Sequence, residues 1–374
     1  MNAQPHQPVL IDGSRLIIEA LVQAGAEVYT GYPITPANWL YALASQRFPI
    51  FLPAPDEISA IQWAAGFAAT GKLPVTGTSF PGFALMLESL NMMYMMELPL
   101  VLILAQRMGP STGSATTGAQ GDLMLLRGAI SGGYHLPVLC PSNLFDCWEL
   151  AAESAKIALR LRTPVILLTS KEMIMTRQSI DLSELQPLEP VTPPPVVSEN
   201  GYLPYRAEPL EAPPFLPVGN PHHQVRLNAS THDATGLIRK ATPEALANTR
   251  RLTQKIEHHL QSDFLFYEYH AAPGAKKLLV SYGISAEATR EAVTKLREQN
   301  HPISLLILKT LLPISPEILN VIEKYEHLFI VEENYSGLLS ELLFGNSRRN
   351  EVHRITKIGA MITPLEIERE VMKW

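Results

Sequence analysis

Four short segments carry residue types whose spacing could do chemistry on a small anionic substrate. The first is Gly31-Tyr32-Pro33-Ile34-Thr35-Pro36. Thr35 there either caps the helix that follows or donates to a ligand oxygen, and one hydroxyl can do both. The second is Asp56-Glu57 at the start of a helical pattern. Acids favour a helix N-terminus through its dipole. Alternatively Glu57, followed by Ile58, Ile61 and Ala64, is a buried proton donor. The third is Thr78-Ser79-Phe80-Pro81-Gly82, a turn in which Gly82 allows close backbone approach to a ligand. The fourth is Gln106-Arg107-Met108-Gly109-Pro110-Ser111-Thr112-Gly113, followed by Gln120-Gly121-Asp122. Arg107 ends an apolar run, where a lone charge is costly. An acidic side chain or a ligand must satisfy it, and a guanidinium holds a carboxylate in a bidentate fork. Ser111 and Thr112, with Ser114, Thr116 and Thr117, either line a polar pocket or form a solvated loop. His135, after Gly132 and Gly133, is structural or a proton carrier. His222 and His223 receive no role.

These segments sit on alternating helix and strand patterns. Helices are expected over 14–24, 35–47 (with Thr35 as cap and Pro36 first), 56–70, 83–96 and 144–160. Strands are expected over 26–30, 51–52, 74–78, 98–106, 136–139 and 165–169. Strand runs without polar alternation mark a parallel sheet covered on both faces. Each chemical segment therefore follows a strand, where such sheets bind ligands. Residues 182–224 are proline-dense, including 193–195 and 213–214. Such a run is either a linker or an extended arm, and Tyr202, Tyr205, Phe215 and Leu216 favour an arm lying on a surface. Residues 242–269 read as one amphipathic helix. A smaller α/β unit begins near 276, with strands over 303–308, 327–332 and 352–358 and helices over 285–299 and 316–325. It ends in a helix that Thr363, Pro364 and Glu366 open as a capping box. The expected fold is α/β: a doubly wound parallel-sheet domain over 10–185, an arm and connecting helix over 186–274, and a smaller α/β domain over 275–374.

Composition narrows the classes. The 374 residues carry a net charge of -6, with 46% hydrophobic and 18% charged side chains. That is ordinary for a globular protein and gives no basic patch for nucleic acid. The start, MNAQPHQPVL, lacks the basic and apolar parts of a signal peptide, and no apolar run is long enough to span a membrane. A cytoplasmic protein is expected. Two cysteines, Cys140 and Cys147, cannot hold a four-cysteine cluster or a structural zinc, and read as small buried hydrophobes. No GxGxxG after a strand, P-loop or HExxH is present.

Taken jointly, GYPITP, PDEISAI, PGFALM, QRMGPSTG, AQGDL, RTPVILL and HDATG resemble the alpha subunits of 2-oxoacid:ferredoxin oxidoreductases, especially the 2-oxoglutarate type, over about 13–359. The resemblance implies a pyrimidine-binding thiamine-diphosphate domain followed by a transketolase C-terminal-like domain. It implies that Glu57 activates the thiamine aminopyrimidine, because a carboxylic acid bonded to a ring nitrogen favours the reactive imino form. Thr35 would lie near the substrate carbonyl and carboxylate, Arg107 would pair with that carboxylate, and Ser111 and Thr112 would line the substrate pocket. Pro33, Ile34 and Phe83 would touch the cofactor.

A self-contained thiamine enzyme also needs a Gly-Asp-Gly segment with a downstream Asn, since Mg²⁺ takes oxygen ligands. This chain has none. The resemblance accordingly implies a beta subunit that holds the diphosphate, Mg²⁺ and a [4Fe–4S] cluster, with no metal ligand here. It further implies coenzyme A as co-substrate, ferredoxin as electron acceptor and a dimer of alpha–beta heterodimers. The reaction would be reversible, fixing CO₂ in reverse as in a reductive TCA cycle. Pyruvate and branched-chain 2-oxo acids are alternative substrates; a transketolase-like enzyme and a non-catalytic scaffold are the more distant readings. The family usually has Ser-Gly-Pro-Gly where this chain has Ser79-Phe80-Pro81-Gly82, and often His where this chain has Ser131.

Overall fold

A computed structural model describes residues 8–191, 201–345, 349 and 351–374. The chain opens with β1 (Pro8–Asp12) and α1 (Gly13–Gln23), which Asp12 caps by accepting from the Arg15 N–H. Next come β2 (Val28–Gly31), α2 (Asn38–Arg47), β3 (Ile50–Pro53), α3 (Glu57–Ala69), β4 (Pro74–Thr78), α4 (Phe80–Met95) and β5 (Leu100–Gln106). A short α5 (Leu123–Arg127) precedes β6 (Val138–Leu139), α6 (Leu144–Leu161), β7 (Pro164–Ser170), α7 (Lys171–Met175) and β8 (Arg177–Asp181). After the arm come α8 (Pro243–His259), β9 (Tyr267–His270), β10 (Lys277–Tyr282), α9 (Ser285–Glu298), β11 (Ile303–Leu308) and β12 (Thr310–Leu312). The chain finishes with α10 (Pro316–Ile322), β13 (His327–Glu332), α11 (Leu338–Phe344), β14 (Val352–Thr356) and α12 (Pro364–Val371).

Strands β12-β6-β7-β5-β4-β2-β3 form one sheet, parallel except for β12. β4, β5 and β7 are buried at every position, which is why their sequences show no polar alternation. A second sheet runs β14-β13-β10-β11-β9, with β9 antiparallel to β11 and the rest parallel. The sheet edge formed by β12 belongs to the C-terminal stretch, so the two α/β units share a sheet rather than only a surface. A small ladder of β1 with β8 completes the architecture. Among the described residues no helix is long and apolar enough to cross a membrane.

Three expectations need correction. Thr35 is not a helix cap: α2 starts at Asn38, with Ala37 at its N-cap and no side-chain cap bond. The Thr35 carbonyl, which a cap residue would give to the helix, is taken by Arg107 Nη1 at 2.6 Å. The single helix expected over 242–269 ends at His259; one wider turn over Leu260–Phe264 follows, and Tyr267–His270 leaves as β9. The exposed edge of β11 and the aromatic Tyr267 and Tyr269 favour pairing there over helix. The strand expected over 136–139 is only Val138–Leu139.

In the proline-dense region the described part lies as an arm on the N-terminal unit. Val218 donates its N–H to the Ala69 carbonyl at 2.8 Å, and the Tyr202 hydroxyl accepts from the Leu216 N–H. Phe215 stacks under the Arg162 guanidinium, 4.8 Å from its ring centre. Residues 193–195 lie outside the described residues. Cys140 and Cys147 are free and buried, as small hydrophobes.

Candidate functional site

In a doubly wound sheet a crevice opens where strand order reverses. Here β2 leads outward to β3, while the chain returns on the other side through β4 to β5. The reversal therefore lies between β2 and β4. Thr35 follows β2, Glu57 follows β3, Ser79 follows β4 and Arg107 follows β5. All four leave carboxyl ends of parallel strands, on one edge of the sheet.

The two acids at α3 divide the roles that the sequence left open. Exposed Asp56 is the cap: its side chain accepts from the Ser59 N–H at 2.6 Å, and that bond lowers its pKa. Glu57 is left over, 7% exposed, and its carboxylate has no protein partner among the described residues. Ile61 and Ala64 are fully buried on the same helix, whereas Ile58 faces outward and does not shield it. A buried acid without a protein partner is poised for a ligand.

Gly82 explains how Glu57 fits. A Cβ on Gly82 would stand 2.6 Å from both Cγ and Oε1 of Glu57, and it would also collide with Thr78 Oγ1. The glycine thus makes room for the catalytic candidate rather than for a ligand. Gly82→Ala is expected to displace the carboxyl and lower turnover by about 10²-fold, with about 1–3 kcal/mol of overpacking. Steady-state kinetics and a thermal melt check both values. Just upstream, Ser79 is fully buried, its Oγ without a partner among the described residues, and Phe80 starts α4 half-buried.

Arg107 is 6% exposed. Its Nη1 donates to the Thr35 carbonyl, which joins the first and fourth segments directly. Its Nε is buried without a partner, and no carboxylate reaches ion-pair distance among the described residues. Burial lowers its pKa and the nearby Asp122 opposes this. The acid partner that could have explained Arg107 away is therefore not in contact.

The remaining candidates divide. Pro33 is exposed beside Thr35, and Ile34 and Thr35 are half-buried, so this turn presents atoms to the edge. Ser111 and Thr112 are exposed at the tip of the loop that Met108 and Ser114 close as a bridge. Phe83 is corrected: with 0% exposure it packs in the core and offers a ligand no surface. It shares the inward face of α4 with Met86 and Leu90. His135 pairs with Glu257 on α8 at 3.7 Å, and burial with Arg127 lowers its pKa. Ser131 is exposed, its N–H given to Asn91 Oδ1. The sequence reading assigned no role to Ser79, Gln120 or Asp122, although AQGDL and TSFPG stood out as motifs. Ser79 directly follows β4, which was an available signal, whereas Gln120 and Asp122 lie in the loop before α5 and carry no such mark.

The Ser79 Oγ and the Glu57 carboxyl, both without a partner among the described residues, fit the aminopyrimidine half of thiamine diphosphate: one acid for a ring nitrogen, which Gly82 leaves room to stand there, and one hydroxyl.

Comparison with known proteins identifies the family. The thiamine-diphosphate-binding family model described as pyruvate flavodoxin/ferredoxin oxidoreductase matches residues 19–249. The chain is 28% identical to the 2-oxoglutarate synthase subunit KorA of Methanothermobacter thermautotrophicus, covering 97% of this chain and 98% of that one. It is 26% identical to the ketoisovalerate oxidoreductase subunit VorB of the same organism, over 95% of this chain and 94% of that one. The solved 2-oxoglutarate:ferredoxin oxidoreductase of Magnetococcus marinus, with 2-oxoglutarate, coenzyme A and succinyl-CoA bound, shares the fold at a TM-score of 0.90 and 24% identity. All of this chain but only 66% of that one is covered.

Proposed function

The chain belongs to the pyruvate flavodoxin/ferredoxin oxidoreductase family as a KorA-type alpha subunit of a 2-oxoacid:ferredoxin oxidoreductase, and on that premise we propose that its substrate is 2-oxoglutarate. The reaction would convert 2-oxoglutarate and coenzyme A to succinyl-CoA, CO₂ and a proton, and two electrons would pass singly to ferredoxin. The observation that carries the site assignment is the unpaired buried carboxyl of Glu57 on the same sheet edge as Thr35 and the open guanidinium of Arg107.

Thiamine diphosphate supplies the carbanion chemistry when bound. The chain's own residues do the rest. Glu57 holds and returns a proton at the pyrimidine nitrogen. Arg107 binds the carboxylate next to the carbonyl, and Thr35 aligns that group from the turn whose carbonyl already orients Arg107. Pro33 and Ile34 shape the same turn, and Ser111 and Thr112 sit on the loop that closes over the substrate. A beta subunit supplies the diphosphate site with Mg²⁺ and the [4Fe–4S] cluster. Exposed Tyr32 after β2 and Ile58 at the start of α3, with exposed Trp63 and Leu85 farther along α3 and α4, favour such a cover.

Arg107→Ala is expected to raise KM for the 2-oxo acid about 10- to 100-fold, the worth of a charge-assisted hydrogen-bond pair. kcat should change little if the carboxylate is held equally in the ground and transition states. An unchanged KM would remove Arg107 from the substrate site. A second reading, a branched-chain 2-oxo acid, is favoured by the likeness to the ketoisovalerate subunit. Anaerobic purification through a tag on this chain tests the assembly: a cluster-bearing second subunit with bound thiamine diphosphate is expected. A chain that binds the cofactor tightly by itself contradicts the shared site.

A further inference from the structure

The loop from Arg107 to Asp122 is fixed at its far end by groups that the proposed reaction does not use. Gln120 is completely buried, and its polar groups bond to the C-terminal unit. Its side-chain amide donates to the Tyr282 carbonyl at 2.8 Å, and its Oε1 accepts from Ser285 Oγ and the Glu333 N–H, each at 2.7 Å. Its own N–H donates to the Glu333 carbonyl at 2.7 Å, and its carbonyl accepts from Asn334 Nδ2 at 3.2 Å. Two residues on, Asp122 is 5% exposed and donates its N–H to Gln106 Oε1 at 3.3 Å, beside Arg107. The Asp122 backbone is thus held between the end of β5 and the Gln120 clamp.

Asp122 Oδ2 and Arg107 Nε are both buried and, among the described residues, both without a hydrogen-bond partner. Each side chain acts on the charge of the other, yet no ion pair closes between them. We propose that Asp122 is the resident counter-ion of Arg107, aiming the guanidinium before substrate arrives and releasing it to the carboxylate of the 2-oxo acid. This rests on the reading of Arg107 as the carboxylate-binding residue.

Two carboxylates against one buried guanidinium repel, so substrate binding favours a proton on Asp122. The environment is set for that. Burial pushes the Asp122 carboxyl up and Arg107 opposes it, leaving it at about 7. The other ionisable groups packed around it do not shift it. Tyr282 at the end of β10 is a phenol pushed far up by burial. The Glu333 carboxylate, also pushed up to about 7 by burial, accepts from the Ile362 N–H; only its backbone N–H reaches Gln120, and it does not shift Asp122. Neither Arg127 on α5 nor Glu341 on α11, which packs against α5, acts on the Asp122 charge. The direction follows. Below pH 7 Asp122 carries its proton and Arg107 is available; above it, ionised Asp122 competes with substrate.

The test is KM and kcat of the assembled enzyme against pH for wild type, Asp122→Asn and Arg107→Ala. Wild-type KM is expected to be flat below pH 7 and to rise about tenfold per pH unit above it. Asp122→Asn should be flat throughout, at or below the wild-type low-pH value. A variant that keeps the wild-type rise, or whose KM is raised even at low pH, overturns the proposal. An Arg107→Ala enzyme with unchanged KM overturns the underlying reading instead. If Asp122→Asn fails to assemble, calorimetry on the wild-type enzyme decides. N-oxalylglycine, a 2-oxoglutarate mimic that cannot lose CO₂, is titrated above pH 7 in two buffers of different ionisation enthalpy. Uptake of about one proton supports the counter-ion role, and no uptake overturns it.

Discussion

Glu57→Gln is expected to lower turnover by about 10²- to 10⁴-fold, the usual contribution of a positioned proton donor, while leaving the fold intact. Glutamine keeps the shape and can still donate a hydrogen bond, but it cannot give up and regain a proton. Nothing in the fold depends on the charge. Asp56 performs the capping of α3, and the Glu57 carboxylate has no protein partner among the described residues. A substitution that breaks no contact should move the melting temperature very little, which separates this variant from Gly82→Ala. Single-turnover kinetics on the assembled enzyme, with a thermal melt of the same sample, measure both quantities. Turnover within a few-fold of wild type would return Glu57 to the helix-dipole reading.

Glu97→Ala is expected to cost about 3–5 kcal/mol of stability, the penalty for leaving buried charge uncompensated. Glu97 is fully buried just after α4, and its two oxygens take Arg251 Nη2 and Lys255 Nζ, each at 2.5 Å. Burial alone would raise its pKa, but Lys255, Arg251 and Arg162 together hold it well below the usual carboxylate range. Removing the carboxylate strands these cations. Arg162 fares best, because its guanidinium also donates to the carbonyls of Glu97, Pro213 and Pro214. The network ties α4 to α8 and to the arm, so denaturant unfolding should report a lower midpoint. A loss below about 1 kcal/mol would place Glu97 among weak ion pairs.

How far the sequence predicted all this depended on range. β4, β11 and β13 have the predicted bounds because their apolar runs are bounded by turn residues within the run itself. The capping box at Thr363 and Glu366 is present for the same local reason. β9 and β12 were not visible, since each exists only through a partner strand elsewhere in the chain: β9 lies on β11 and β12 on β6. The site shows the same division. Thr35, Glu57 and Arg107 were legible as polar residues following apolar runs. Glu97 was not, although an acid inside MMYMMELPLVLILA, with Arg251 and Lys255 one helical turn apart beside Leu252 and Ile256, could have suggested a buried ion pair. The choice between Asp56 and Glu57 also needed coordinates, because both suit a helix start equally well.

Viologen reduction by the anaerobically purified complex, supplied with coenzyme A and a panel of 2-oxo acids, measures the proposed reaction itself. Reduction is expected to depend on coenzyme A and to favour 2-oxoglutarate strongly over pyruvate and 2-oxoisovalerate. Preference for a branched-chain acid would keep the chemistry and contradict the substrate. No reduction with any 2-oxo acid, from a complex carrying thiamine diphosphate and intact clusters, would contradict the function itself.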